Sequence, residues 1–170
     1  MTLAPWWESW LGGTDDSLLL LDYFEKRTPG AVSLAEVLVE LHLLTPLQHG
    51  SWARADAWFA LPGMPEAHFG LAVEVVIDLS AVVVECIHSG VVPVAAFGPA
   101  GESDGVIDID LAASAPELVL LQSALGSFLA EPGRFEISEF LDGDELQELT
   151  SHCTQIVAEL QAYLSAAPAT

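Results

Sequence analysis

Between Leu71 and Ile87 the chain is almost wholly aliphatic, broken only by Glu74, Asp78, Ser80, Glu85 and Cys86. Any fold must bury this run, because each such side chain gains roughly 1.5–3 kcal/mol on leaving water. Over residues 71–79 the pattern reads with a period of two. Leu71, Val73, Val75, Ile77 and Leu79 fall on one side and Ala72, Glu74, Val76 and Asp78 on the other, the pattern of a half-buried strand. The run AVVVECI at 81–87 predicts a second strand. VVPVAAF at 91–97 predicts a third, placed at an edge because Pro93 has no N–H to donate. After the turn-rich GPAGESDG, residues 105–111 alternate again, with Ile107, Ile109 and Leu111 inward and Asp108 and Asp110 outward. Four strands joined by short links imply an antiparallel meander.

Helical patterns flank this region. Thr14, Asp15 and Asp16 precede SLLLLDYFEKR, and Pro29-Gly30 stops it, predicting a helix over 15–27. Ser33 with Glu36 reads as a capping box for a second helix, carrying Leu34, Val37, Leu38 and Leu41 at helical spacing until Thr45-Pro46. Residues 46–69 read as a mostly irregular connection. Ser114 and Pro116 start another helix, with Leu118, Leu121, Leu125 and Phe128 on one face, and Pro132-Gly133 ends it. RFEISEFL then reads as a short strand. Asp142 and Glu145 open a long final helix with Leu146, Leu149, Cys153, Ile156, Val157, Leu160 and Leu164 on one stripe. The expected order is ααββββαβα. This is an α+β fold in one domain spanning 1–170, with an antiparallel sheet of four to five strands and helices mainly on one face. Residues 1–13 form an aromatic arm and 165–170 a fraying tail.

Charge narrows the function. Twenty-five acidic residues stand against four basic ones, and residues 55–170 hold 18 acids with Arg134 as their single base. With 52% apolar residues the chain has material for a core, so the acidic excess lies on its surface. Such a field repels phosphate backbones and anionic lipid headgroups and attracts cationic partners. Nucleic acid and membrane are therefore not expected as partners. The longest uncharged run after Glu85, residues 86–101, contains prolines and glycines and does not read as a membrane span. Glu8 interrupts any signal-like apolar segment at the N-terminus, and Cys86 and Cys153 read as buried thiols of a reducing compartment. The expected location is the cytoplasm.

Motifs for catalysis are sparse. Asp108 and Asp110, two residues apart on a strand, join Glu102 and Asp104 as the best acidic cluster, in reach of a cation or of a carboxylate-pair mechanism. Glu74 and Asp78, set about 13 Å apart along a strand, are too distant to act jointly. No histidine pair has zinc-ligand spacing, and Glu66-Ala-His68 near His49 is the one loop grouping of ligand-type residues. Nucleophile elbows and phosphate-binding loops are missing, so no metal or cofactor is expected. Five tryptophans stand out: Trp6, Trp7 and Trp10 in the arm, Trp52 and Trp58 in the connection. An aromatic centre with an acidic rim suits a docking surface for a basic protein, whereas the alternative is that the indoles pin the arm and loop to the core.

These features point to a non-enzymatic, acidic binding module: an immunity or antitoxin-type inhibitor of a basic toxin or effector. Such an inhibitor gains steering from charge when its target is a basic nuclease or deaminase. The expected contact residues are Trp6, Trp7, Trp10, Trp52, Trp58, Glu102, Asp104, Asp108 and Asp110. The alternatives are an acidic secretion chaperone for a cationic client and a carboxylate- or metal-dependent hydrolase using residues 102–110. A homodimer through the final helix or the edge strand at 91–97 is compatible with the pattern.

Overall fold

The computed structural model describes Trp7 and residues 11–27, 30–97 and 107–166. Thr14 starts the first helix, α1 (Asp15–Lys26), by accepting a hydrogen bond from the Ser17 amide at 3.1 Å. Strand β1 (Val32–Ser33) leads into α2 (Leu34–Glu40). The capping box read from the sequence is present there: the Glu36 amide donates to the Ser33 hydroxyl at 3.2 Å, and the Ser33 amide donates to the Glu36 carboxylate at 2.9 Å. Helix α3 (Leu44–Gln48) and a 3-10 turn at Trp52–Arg54 follow, then a small antiparallel pair, β2 (Trp58–Phe59) and β3 (Ala67–His68). The segment expected to be irregular thus holds a helix, a turn and a strand pair.

Next come helix α4 (Ala72–Ser89), strand β4 (Val92–Pro93) with a 3-10 turn at Val94–Ala96, and strands β5 (Asp108–Ile109) and β6 (Leu111–Ala112). Helix α5 (Ala115–Ala130), 3-10 turns at Pro132–Arg134 and Glu136–Glu139, and helix α6 (Gly143–Ala166) complete the chain. Ser165 and Ala166, expected to fray, continue α6.

The fold is therefore mostly helical, which overturns the α+β expectation and its order ααββββαβα. The antiparallel sheet of four to five strands is replaced, among the described residues, by three two-stranded pairs: β1 with β6 in parallel, β2 with β3 and β4 with β5 antiparallel. The two strands expected over 71–79 and 81–87 are replaced by one 18-residue helix that starts at Ala72, with Leu71 at its N-cap. The error has a physical cause. Fourteen of its eighteen residues are buried, so apolar side chains stand at both parities and imitate the alternation of a strand, while the helical spacing of Glu74, Asp78 and Glu85 is the period that the strand reading passes over. Val73, Val75, Val76, Ile77, Leu79, Val82, Val83 and Val84 are all buried, and Asp78 and Glu85 on the remaining face are buried with them. Helix-disfavouring β-branched residues cost a few tenths of a kcal/mol each here, about tenfold less than their burial contributes. RFEISEFL, read as a strand, forms the consecutive 3-10 turns, with Phe135 and Ile137 turned into the core. The strand expected over 91–97 is reduced to Val92–Pro93, and the alternation at 107–111 survives as β5 and β6, with Ile109 and Leu111 buried.

Helix α4 is the axis of the molecule, packed against α1, α5 and α6, with α5 lying along α6. The arm also reaches this core. The Trp7 indole N–H donates to the Phe97 carbonyl at 2.6 Å, and the two rings meet edge to face at 4.7 Å. Gly12 permits this seat: its φ is +83°, and a Cβ there would stand 2.6 Å from the Trp7 Nε1. No helix among the described residues is long and apolar enough to cross a membrane.

Candidate functional site

Helix α2 ends in a Schellman arrangement, in which the His42 amide donates to the Val39 carbonyl at 3.0 Å and the Leu43 amide to the Leu38 carbonyl at 2.8 Å. The residue after the C-cap in this motif is left-handed and is usually glycine. Here it is His42, at φ +58°, the one non-glycine residue of positive φ among the described residues. That conformation costs a side chain roughly 1–2 kcal/mol, and it lays the His42 imidazole flat on Trp58, with ring centroids 3.7 Å apart and planes 13° from parallel.

Trp58 is aimed outward by strand alternation: its neighbour Phe59 is fully buried, so Trp58 faces the other way and stays half-exposed. Across the strand pair Trp58 is in register with His68, whose ring stacks at 6.0 Å. His68 Nε2 lies 2.6 Å from a Glu66 carboxylate oxygen and its Nδ1 3.4 Å from Asp56. Those two carboxylates, Glu66 foremost, raise the His68 pKa above the usual imidazole value. Trp58 thus sits between two imidazoles, with Asp56 and Glu66 exposed beside it.

The other expected contact residues are distributed differently. Trp7 and Trp52 are buried, Trp7 against Phe97 and Trp52 against Phe135 at 4.7 Å, so both indoles pin the chain to its core. Trp6, Trp10, Glu102 and Asp104 lie outside the described residues. Asp108 is exposed and Asp110 half-buried; both border a shallow crevice with Phe24, Arg27, Gly30 and Val32, with room for about one water. Arg27 at this crevice is held by Glu40 through two hydrogen bonds, at 3.0 and 3.1 Å. Among the described residues no group of three His, Cys, Asp or Glu side chains could hold a metal ion.

A second carboxylate group, set apart by the strand reading, comes together on the helix. Glu74 and Asp78 stand one turn apart on α4 and face Asp16 and Ser17 of α1. Asp16 accepts the Gly70 and Leu71 amides at 2.7 Å each, capping the start of α4, and the Ser17 hydroxyl donates to Asp78 at 2.5 Å. Burial, with the charges of Glu74 and Asp16 beside it, pushes the Asp78 carboxyl up to about 8 against the pull of Ser17. Burial and Asp16 likewise push Glu74 up to about 7. The crevice above them, lined by Leu11, Thr14, Ile77 and Leu149, is too narrow for a water molecule. Both cysteines are free and buried, and burial lifts Cys86 to about 11 and Cys153 to about 12, so their thiols stay protonated.

All four basic residues are already paired within the chain: Lys26 with Asp22, Arg27 with Glu40, Arg54 with Glu139 and Arg134 with Glu131. No lysine or arginine is therefore left over to offset the exposed carboxylates of the described residues. His42, His68, Asp56 and Glu66 had not been expected as a group, since residues 42, 58 and 68 meet only through a helix cap and a strand register. Glu66-Ala-His68 was visible as a grouping, but the histidine that joins it is His42, while the His49 ring contacts the Thr45 carbonyl.

Neither a search of curated proteins nor one of solved structures found a match. A family model described as immunity protein 68 matches residues 2–160, nearly the whole chain, and the chain belongs to that family of immunity proteins.

Proposed function

We propose that this immunity protein neutralises a basic protein toxin without catalysing a reaction, by covering it with an anionic face whose contact point is the His42–Trp58–His68 stack. The family assignment supports a toxin as partner. The observation that carries the site is His42, which adopts a strained backbone to lay its ring on a surface tryptophan flanked by the exposed Asp56 and Glu66. Aromatic anchors inside a polar rim carry much of the binding energy at interfaces, and complementary charge sets the rate of encounter. A net charge of −21, with every base internally paired, gives a cationic partner a steering field. The toxin's basicity and a cytoplasmic encounter belong to this reading. The chaperone and hydrolase alternatives gain nothing from the family match.

The test is capture from the native host with the tagged chain at low salt, followed by association kinetics with the recovered protein. We expect a basic protein, an association rate that falls steeply with salt, and a dissociation rate that changes less. Trp58→Ala should raise the dissociation rate. Salt-independent association, or full neutralisation of the toxin by Trp58→Ala, would refute the reading.

A further inference from the structure

Both ring nitrogens of His68 face carboxylates, Nε2 towards Glu66 at 2.6 Å and Nδ1 towards Asp56 at 3.4 Å. An ionised carboxylate only accepts hydrogen bonds, and a neutral imidazole has one N–H and one lone pair. Both contacts can therefore be hydrogen bonds at once only when the ring is charged. Loss of its proton turns a lone pair towards one carboxylate and leaves that carboxylate without a donor. The third contact is Trp58, in register with His68 across the strand pair, with ring centroids 6.0 Å apart and planes 28° from parallel. An indole at that distance also favours the charged ring. Among the described residues no lysine or arginine pairs with either carboxylate, since Lys26, Arg27, Arg54 and Arg134 are held by Asp22, Glu40, Glu139 and Glu131. His42, stacked on the same indole at 3.7 Å, is the other titratable group at the site.

Two carboxylates and an aromatic ring around one cation are also what a guanidinium or ammonium group from another protein would use. We propose, on the reading that the partner is basic and docks at this stack, that His68 is a built-in competitor for the toxin's cation. Its charged ring occupies Asp56, Glu66 and Trp58, and a cationic side chain of the toxin takes its place as His68 gives up one proton to solvent. The ring's charge leaves as the partner's charge arrives, so the site still holds two carboxylates and one cation. Without the exchange two cations would crowd against the same carboxylates and repel each other. Binding is therefore linked to a proton: it is weakest where His68 is charged and strengthens as pH rises through the His68 titration. The two carboxylates, Glu66 foremost, move that titration above the usual imidazole value.

The probe is a hexa-arginine peptide. The isotopically labelled full chain is titrated from about pH 5 to about pH 9 at low salt, alone and with saturating peptide, and its imidazole resonances are followed by NMR. His88 is the internal control for general screening by a bound polycation, since its ring also pairs with an exposed carboxylate, that of Glu159 at 3.0 Å. The His68 midpoint should fall by about one pH unit, a change of about tenfold in proton affinity, and the His88 midpoint by less. Peptide affinity should rise by up to about tenfold per pH unit through the His68 titration, and His68→Gln should flatten that rise, with a thermal melt to check that the variant is folded. Equal falls at His68 and His88, an unmoved His68, or an undiminished pH dependence in His68→Gln would overturn the proposal. None of these outcomes involves the toxin, so each leaves the toxin-binding reading intact. Full neutralisation by Trp58→Ala would overturn that reading without altering the His68 titration.

Discussion

Replacing Asp78 with asparagine should make the protein less sensitive to alkali. The Asp78 carboxyl is 2% exposed, sits on the central helix, and is held up at about 8 by burial first and by neighbouring negative charge second. Between pH of about 4 and about 8 the unfolded chain has lost this proton while the folded chain keeps it, so the folded state binds more protons and its stability falls as pH rises. The contribution is fully present at acid pH and is lost by the time pH reaches the raised value. Each pH unit in that window costs about 1.4 kcal/mol, which over the span from 3.8 to about 8 accumulates to roughly 6 kcal/mol. Asparagine keeps an oxygen to accept the Ser17 hydroxyl and has no charge to suppress. Urea denaturation of both proteins, followed by tryptophan fluorescence from about pH 5 to pH 8, should show a stability difference that moves in favour of Asp78→Asn by about 1.4 kcal/mol per unit. Self-repulsion among the other carboxylates is common to both proteins and cancels in the difference. A difference that stays constant with pH would mean that Asp78 is already ionised in the folded protein, and the reasoning would fail. Glu74, pushed up to about 7 by burial and Asp16, adds a slope of the same sign in both proteins, over the narrower window from 4.5 to about 7.

Other substitutions test other parts of the structure. His42→Gly should raise stability by about 1 kcal/mol, because glycine adopts the left-handed conformation freely, yet weaken toxin binding by removing one ring of the stack; melting and binding measured on the same samples separate the two effects. Trp58→Ala should weaken the toxin complex by about 2 kcal/mol or more if the stack is a hot spot, as read by dissociation kinetics. Ser33→Ala removes the capping box of α2 and should cost about 1 kcal/mol in chemical denaturation. Gly12→Ala should unseat Trp7 from Phe97, lowering the melting temperature and shifting indole fluorescence, since the new methyl would overlap the indole.

Local punctuation was legible in this sequence, and tertiary environment was not. Thr14, the Ser33–Glu36 box, the Ser114–Pro116 start and the Asp142–Glu145 box each mark a helix that the structure contains, because a cap is chemistry within three or four residues of chain. Helix α4 was hidden for the opposite reason. Its burial on all sides is set by α1, α5 and α6, and a segment apolar at both parities satisfies a strand pattern as readily as a buried helix. Length was the available arbiter: an aliphatic stretch of 17 residues from Leu71 to Ile87 with no glycine or proline inside is long for a strand and ordinary for a helix.

Secondary structure decides which carboxylates are neighbours. As strand residues, Glu74 and Asp78 are surface charges too far apart to interact; as helix residues one turn apart, Asp78 is buried and Glu74 half-buried beside it, and burial with neighbouring negative charge ties stability to pH. The stacked surface was illegible for a related reason: His42 depends on a Schellman cap that departs from the glycine signal by which such caps are recognised, and His68 meets Trp58 only through the register of two two-residue strands. The two carboxylate populations therefore have different roles. Asp16 and Asp78 are enclosed and Glu74 is half-buried, with Asp78 protonated near neutrality, and these govern stability, whereas Asp56 and Glu66 remain in solvent, where a cation from another protein can reach them. A substitution that removes charge from the first group should change the pH dependence of folding and leave toxin association untouched, and one in the second group should do the reverse.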